Sequence, residues 1–131
     1  MTDNEINREI AERVMGWEST RTRKGKPDLS HPFNPDLPDW HVMDDGVVVV
    51  RVTKSRWDKF DPANDPAAVF GPGGVVEKMV NKGFGVDIGT SNGGFTAAFG
   101  SSEQYGEAEA LSITLAVCLA ALAALEGEPN A

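Results

Sequence analysis

The sequence predicts an α+β fold: an antiparallel sheet of about three to four strands sandwiched between helices in α/β/α layers. Three observations predict it. Residues 47–53 hold Val47, Val48, Val49, Val50, Val52 and Thr53, a β-branched run that packs well on a pleated surface and poorly in a helix. Residues 84–89 and 95–99 flank Asn92-Gly93, the dipeptide that supplies the left-handed residues of a tight hairpin. Apolar residues recur at helical spacing near both ends of the chain. The 131 residues are the length of a single domain spanning 1–131, with a Pro-rich loop over 18–39 and a flexible tail over 127–131.

The first helix is predicted over 3–15. Thr2 or Asp3 caps it, and Glu5 follows Thr2 at capping-box spacing. Ile6, Ile10, Val14 and Trp17 form one apolar stripe, Glu9 and Arg13 form an i,i+4 pair, and Gly16 ends the helix so that Trp17 folds back on the core. Residues 18–39 carry Arg21, Arg23, Lys24 and Lys26, then Pro27, Pro32, Pro35 and Pro38. That proline spacing forbids a helix and disfavours a central strand, so a long surface loop is expected. Trp40 to Met43 begins a strand, Asp45-Gly46 turns, and 47–53 follows as a strand buried on both faces.

Asn64 or Asp65 caps the next helix, with Pro66 at its first position. Gly71-Pro72-Gly73-Gly74 interrupts that helix, 75–81 resumes it, and Gly83 stops it. The hairpin of 84–89 and 95–99 leads into a polar loop over 100–106. A long, nearly all-apolar helix is predicted over 107–126, with Glu107 and Glu109 in its first turn and Gly127 beyond its end.

Composition excludes several classes of function. Twelve basic residues face twenty acidic ones, for a net charge of −8. A duplex nucleic-acid binder, which relies on Lys and Arg at phosphates, is disfavoured. All twelve basic residues fall within 1–82, and 83–131 holds six acidic residues and no basic one. An anionic partner must therefore be met by the first 82 residues. The single cysteine, Cys118, excludes an intramolecular disulfide and reads as a small core residue. The uncharged apolar stretch 110–125 is shorter than the roughly 20 residues that span a bilayer, and the polar start of the chain does not resemble a secretory leader.

Each short motif has a plain structural reading. Val86 to Asn92 resembles the first phosphate loop of the actin and sugar-kinase ATPases, but that fold needs two large lobes that 131 residues do not supply. Gly71 to Gly74 lacks the Lys and Ser/Thr of a phosphate-cradling loop. His31 and His41 stand at no close metal-ligand spacing. Asp58, Asp61 and Asp65 offer oxygen ligands or, more simply, caps for turns and helices. No metal or cofactor is expected. Trp40, Trp57, Phe60 and Tyr105 lie in or beside loops, where aromatic rings stack on bases or cover sheet ends. Arg51, Arg56 and Lys59 are close enough in sequence to hold phosphate.

Four stretches together resemble one family: 10–17 (Ile-Ala-Glu-Arg-Val-Met-Gly-Trp), 60–65 (Phe-Asp-Pro-Ala-Asn-Asp), 75–79 (Val-Val-Glu-Lys-Met), and the apolar 108–125 with its Cys118-Leu119-Ala120-Ala121-Leu122. Their order and spacing are similar to the phage ABA sandwich domain family of small bacteriophage and prophage proteins. The resemblance implies a sheet between helical layers and a phage-encoded protein in the host cytoplasm. It transfers no catalytic residue. Gly71 to Gly74 looks like an insertion relative to the family pattern, and the Pro-rich loop looks long for it.

The reading that follows is a non-enzymatic accessory phage protein that binds a host factor, either a host protein or an immune-signalling nucleotide. Trp40, Arg56, Trp57, Phe60 and Tyr105 are its candidate ligand-binding residues, and homo-oligomerisation through the apolar C-terminal helix is expected. The alternatives are a virion-associated structural protein, or a small metal-dependent hydrolase using Asp58, Asp61 or His41.

Overall fold

The computed structural model describes residues 2–17, 22–23, 26–27 and 38–126. Of the predicted loop over 18–39 only 22–23, 26–27 and 38–39 are described, and the predicted tail over 127–131 lies outside the described residues. The chain divides into two compact units, Met1–Asp61 and Pro62–Ala131, and the architecture is α+β with every strand pairing antiparallel.

The first unit opens with helix α1, Asp3–Glu9, which continues through a π-helical turn over Ile10–Val14. The Thr2–Glu5 capping box forms as the sequence predicts, satisfying two backbone donors that the first turn leaves without partners. Ile6, Ile10, Ala11 and Val14 are buried. Gly16 takes a positive φ of 70°, which reverses the chain. Trp17 then lies against Phe60, ring centroids 4.9 Å apart. Strands β1 (Thr22–Arg23) and β2 (Lys26–Pro27) form a two-residue ladder. Strands β3 (Trp40–Val42), β4 (Val48–Arg51) and β5 (Trp57–Lys59) form a three-stranded sheet in that order.

The valine run is shorter as a strand than predicted. Pairing ends at Arg51 because the chain turns there, with Val52 N–H donating to Arg56 O at 2.9 Å. Strand β5 was not predicted: three residues carry no periodicity of their own, and only pairing with β4 makes them a strand.

The second unit begins with α2 (Pro66–Phe70) and α3 (Val75–Asn81). Asp65 caps α2 by accepting from Ala67 N–H, and Gly71 to Gly74 separates the two helices. Strands β6 (Gly85–Ser91), β7 (Gly94–Gly100) and β8 (Tyr105–Ala110) form the second sheet. Gly93 takes the positive φ of 83° that the β6–β7 turn demands. Helix α4, Ile113–Glu126, packs on β7 and β8.

Two corrections concern this last stretch. The predicted polar loop over 100–106 is cut short by β8, and the predicted helix over 107–126 begins only at Ile113. Glu107-Ala108-Glu109-Ala110 alternates with a period of two. It therefore sends both carboxylates to one face and pairs along β7, with Thr96 opposite Glu109 and Ala98 opposite Glu107. Two acidic residues ahead of an apolar helix give the same sequence signal as an acidic first turn, and here the open edge of β7 decides.

Helix α4 is apolar all round because it is central. Ala116, Val117, Cys118, Ala120 and Ala121 are fully buried. Ile113, Leu115, Leu119 and Ala123 on the same helix are only half-buried.

Candidate functional site

The hairpin β4–β5 in the first unit is built around Arg51. This side chain is 1% exposed, and its Nη1 donates to Asp39 Oδ2 at 3.0 Å while Nε donates to Lys54 O at 3.1 Å. A buried guanidinium requires such partners on several sides. Arg51 therefore fixes the turn over 52–56, which Thr53 Oγ1 closes by accepting from Arg56 N–H at 3.1 Å. The sequence offered Arg51 as a phosphate contact; the structure uses it to hold the hairpin in place.

The pairing register of Arg51 with Trp57 and of Val49 with Lys59 puts these four side chains on one face of the sheet. Trp40, Val50 and Asp58 occupy the other. Trp57 is half-buried, and its indole N–H is shielded from solvent yet finds no acceptor among the described residues. Arg56 and Lys59 flank it in sequence and are 69% and 59% exposed. Each is held by a single carboxylate: Arg56 by Asp58 at 3.1 Å, Lys59 by Asp61 at 3.5 Å.

The other candidate residues separate from this group. Trp40 is 2% exposed and donates from Nε1 to Trp17 O at 3.2 Å. Phe60 is 6% exposed and packs on Trp17. Both rings are committed to the core, so neither offers a face for stacking. Tyr105 belongs to the second unit and is 63% exposed on β8. Its hydroxyl donates to Glu107 Oε2 at 3.0 Å. That hydrogen bond, then partial desolvation, then the charges of Glu107 and Asp87 push the phenol above its ordinary value. Tyr105 borders a shallow depression of about 480 Å³ on the sheet face away from α4, lined also by Asp87, Gly89, Thr96, Glu107 and Glu109. Three carboxylates without a cation among residues 83–126 repel an anion.

The carboxylates of the hydrolase alternative are occupied separately. Asp58 holds Arg56. Asp61 accepts from Asn7 Nδ2 at 2.8 Å and faces Lys59, and Asp65 caps α2. His41 is buried within β3. Among the described residues no three His, Cys, Asp or Glu side chains are grouped to hold a metal ion.

Two structural pairs were not read from the sequence, Asp39 with Arg51 and Asn7 with Asp61. Asn7, beside Ile6 on the buried face of α1, was the only available signal for the second.

The family model for the phage ABA sandwich domain matches residues 8–122. The chain belongs to the phage ABA sandwich domain family. No curated protein and no solved structure matches it. In this phage ABA sandwich domain the matched span takes in both three-stranded sheets and most of α4, so Arg56, Trp57 and Tyr105 all fall inside it. Among the described residues no helix is long and apolar enough to cross a membrane.

Proposed function

We propose that this phage protein is a non-enzymatic accessory factor that acts in the host cytoplasm by binding an anionic host molecule, an immune-signalling nucleotide, at the β4–β5 hairpin. The observation that carries the reading is Trp57: a half-buried indole whose N–H has no acceptor among the described residues, with the exposed Lys59 on the same face of the sheet and the exposed Arg56 next to it in the chain, ion-paired to Asp58 on the other face. A buried donor without a partner costs about 1–3 kcal/mol, and a ligand oxygen would recover that. Exposed ion pairs such as Arg56–Asp58 are worth only about 0.2–1 kcal/mol. A phosphate can therefore draw Arg56 away at little expense, and the indole ring supplies a stacking surface for a base. The first unit is also where the chain's cations lie, apart from Lys78 and Lys82.

Isothermal titration with cyclic dinucleotides and linear nucleotides tests the reading. Binding of at least one of them is expected, abolished by Trp57→Ala and weakened roughly tenfold by Arg56→Ala, the loss of one charge-assisted contact. Absence of binding to every nucleotide, or binding that survives Trp57→Ala unchanged, refutes it.

A further inference from the structure

Among the described residues strand β6 is an edge strand, and Asp87 is its one feature that blunts an edge. Its seven residues, Gly85–Ser91, pair with β7 in unbroken register from Gly85–Gly100 to Ser91–Gly94, without a bulge. It contains no proline and no lysine, and its one charge is Asp87. Natural edges are protected by just those devices. The opposite edge, β8, carries Glu107 and Glu109.

Residues 85–90 are all exposed, Val86 at 40% and Ile88 at 36%. Both stand on the face that α4 covers, because Val86 pairs with the buried Phe99 and Ile88 with the buried Ala97. Helix α4 packs chiefly on β7 and β8, and α3 is the helix that touches β6. Among the described residues a strip of apolar side chain and a row of outward N–H and C=O groups are thus left open together.

We propose that β6 pairs antiparallel with β6 of a second copy of this chain, joining two three-stranded sheets into one of six strands. The strand's own sequence selects this occupant and its register. In a two-fold antiparallel pair, residues opposite each other must face the same side. Centring the pair on Ile88 uses all seven residues. Ile88 then meets Ile88 of the copy, Val86 meets Thr90, and Asp87 meets Gly89. Every position is filled without placing like charges opposite each other. Centring on Asp87 would oppose two carboxylates and is disfavoured. The apolar strip beside α4 is closed by the same residues of the copy.

Position 89 discriminates this register from any other mode of association. Gly89→Lys places an ammonium opposite Asp87 of the copy at two symmetry-related pairs, whereas Gly89→Glu places a carboxylate there. A Cβ at this position meets only Thr96 Oγ1, at 3.2 Å, and both variants share that contact. Sedimentation equilibrium of the full chain is expected to show a dimer. Gly89→Lys should lower its dissociation constant and Gly89→Glu raise it, each by roughly tenfold, since two cross-strand charge pairs change together. Far-ultraviolet circular dichroism confirms that both variants keep the fold. A wild-type chain that stays monomeric overturns the proposal, as does a dimer whose dissociation constant is the same in both variants.

Discussion

Substituting Gly106 by alanine isolates the contact between β8 and α4. Gly106 is buried, and a Cβ built on it runs into Ala124 N and lies 2.6 Å from both Ala123 C and Ala124 Cα. These are backbone atoms, so no rotamer change relieves the overlap. Ordinary contact begins at 3.4 Å, so clearing Ala123 C and Ala124 Cα alone requires α4 to retreat by about 0.8 Å, and clearing the nearer Ala124 N requires more. A gap of that size forfeits about a quarter to a half of each dispersion contact across the interface. Overpacking of a core costs about 1–3 kcal/mol, and a clash with helix backbone belongs at the upper end, about 3 kcal/mol. With a urea slope of about 2 kcal/mol/M, the unfolding midpoint falls by about 1.5 M. The helical far-ultraviolet signal should follow the transition, because α4 is the longest helix among the described residues. Gly85→Ala is the control: its Cβ meets only Gly100 O, at 3.7 Å, and the change should stay within about 0.5 kcal/mol. If Gly106→Ala is as stable as Gly85→Ala, the direct approach of helix to strand is refuted.

Two further outcomes follow from side chains described above. Arg51→Ala strips a buried guanidinium from Asp39 and from Lys54 O. It should cost about 3–5 kcal/mol, read by tryptophan fluorescence, with Arg51→Met combined with Asp39→Asn recovering part of the loss; equal losses in the single and double variants would sink the ion-pair account. Tyr105 is the only tyrosine, so phenolate absorbance during alkaline titration reports this group alone. The neutral hydroxyl donates to Glu107 and the phenolate cannot, so ionisation is displaced above the ordinary value. Glu107→Gln should bring it back down, and an unchanged titration curve would contradict that cause.

The local features of the fold were legible because each is written in a few neighbouring residues. Thr2 and Glu5 cap α1, Asp65 and Pro66 start α2, Gly83 lies just past α3 with a φ of 98°, and Asn92-Gly93 turns the β6–β7 hairpin. What the sequence concealed depends on partners far along the chain. Residues 107–110 satisfy either an acidic helix start or an alternating strand, and the free edge of β7 selects the strand. Asp39 and Arg51 differ in nothing visible from other surface charges until a loop and a strand bring them to 3.0 Å. Among the candidate site residues, the sequence identified aromatics near loops but not which ones the core would consume. Trp40 and Phe60 pack inward, and Trp57 retains a polar atom that has no partner among the described residues.

The uneven charge of the chain links these observations to the proposed function. The sheet of β6, β7 and β8 with α4 falls within residues 83–126, which hold Asp87, Glu103, Glu107, Glu109 and Glu126 and no cation. A phosphate near Tyr105 would meet Asp87 and Glu107, the charges that already resist formation of a phenolate there. The same repulsion that raises the phenol disfavours a nucleotide, so the two candidate aromatics make opposite predictions. Tyr105→Phe should leave nucleotide binding unchanged while Trp57→Ala abolishes it. Binding that disappears with Tyr105→Phe and persists with Trp57→Ala would mean that the ligand overcomes three carboxylates. That result would move the site out of the first unit and remove the electrostatic basis for placing it at the β4–β5 hairpin.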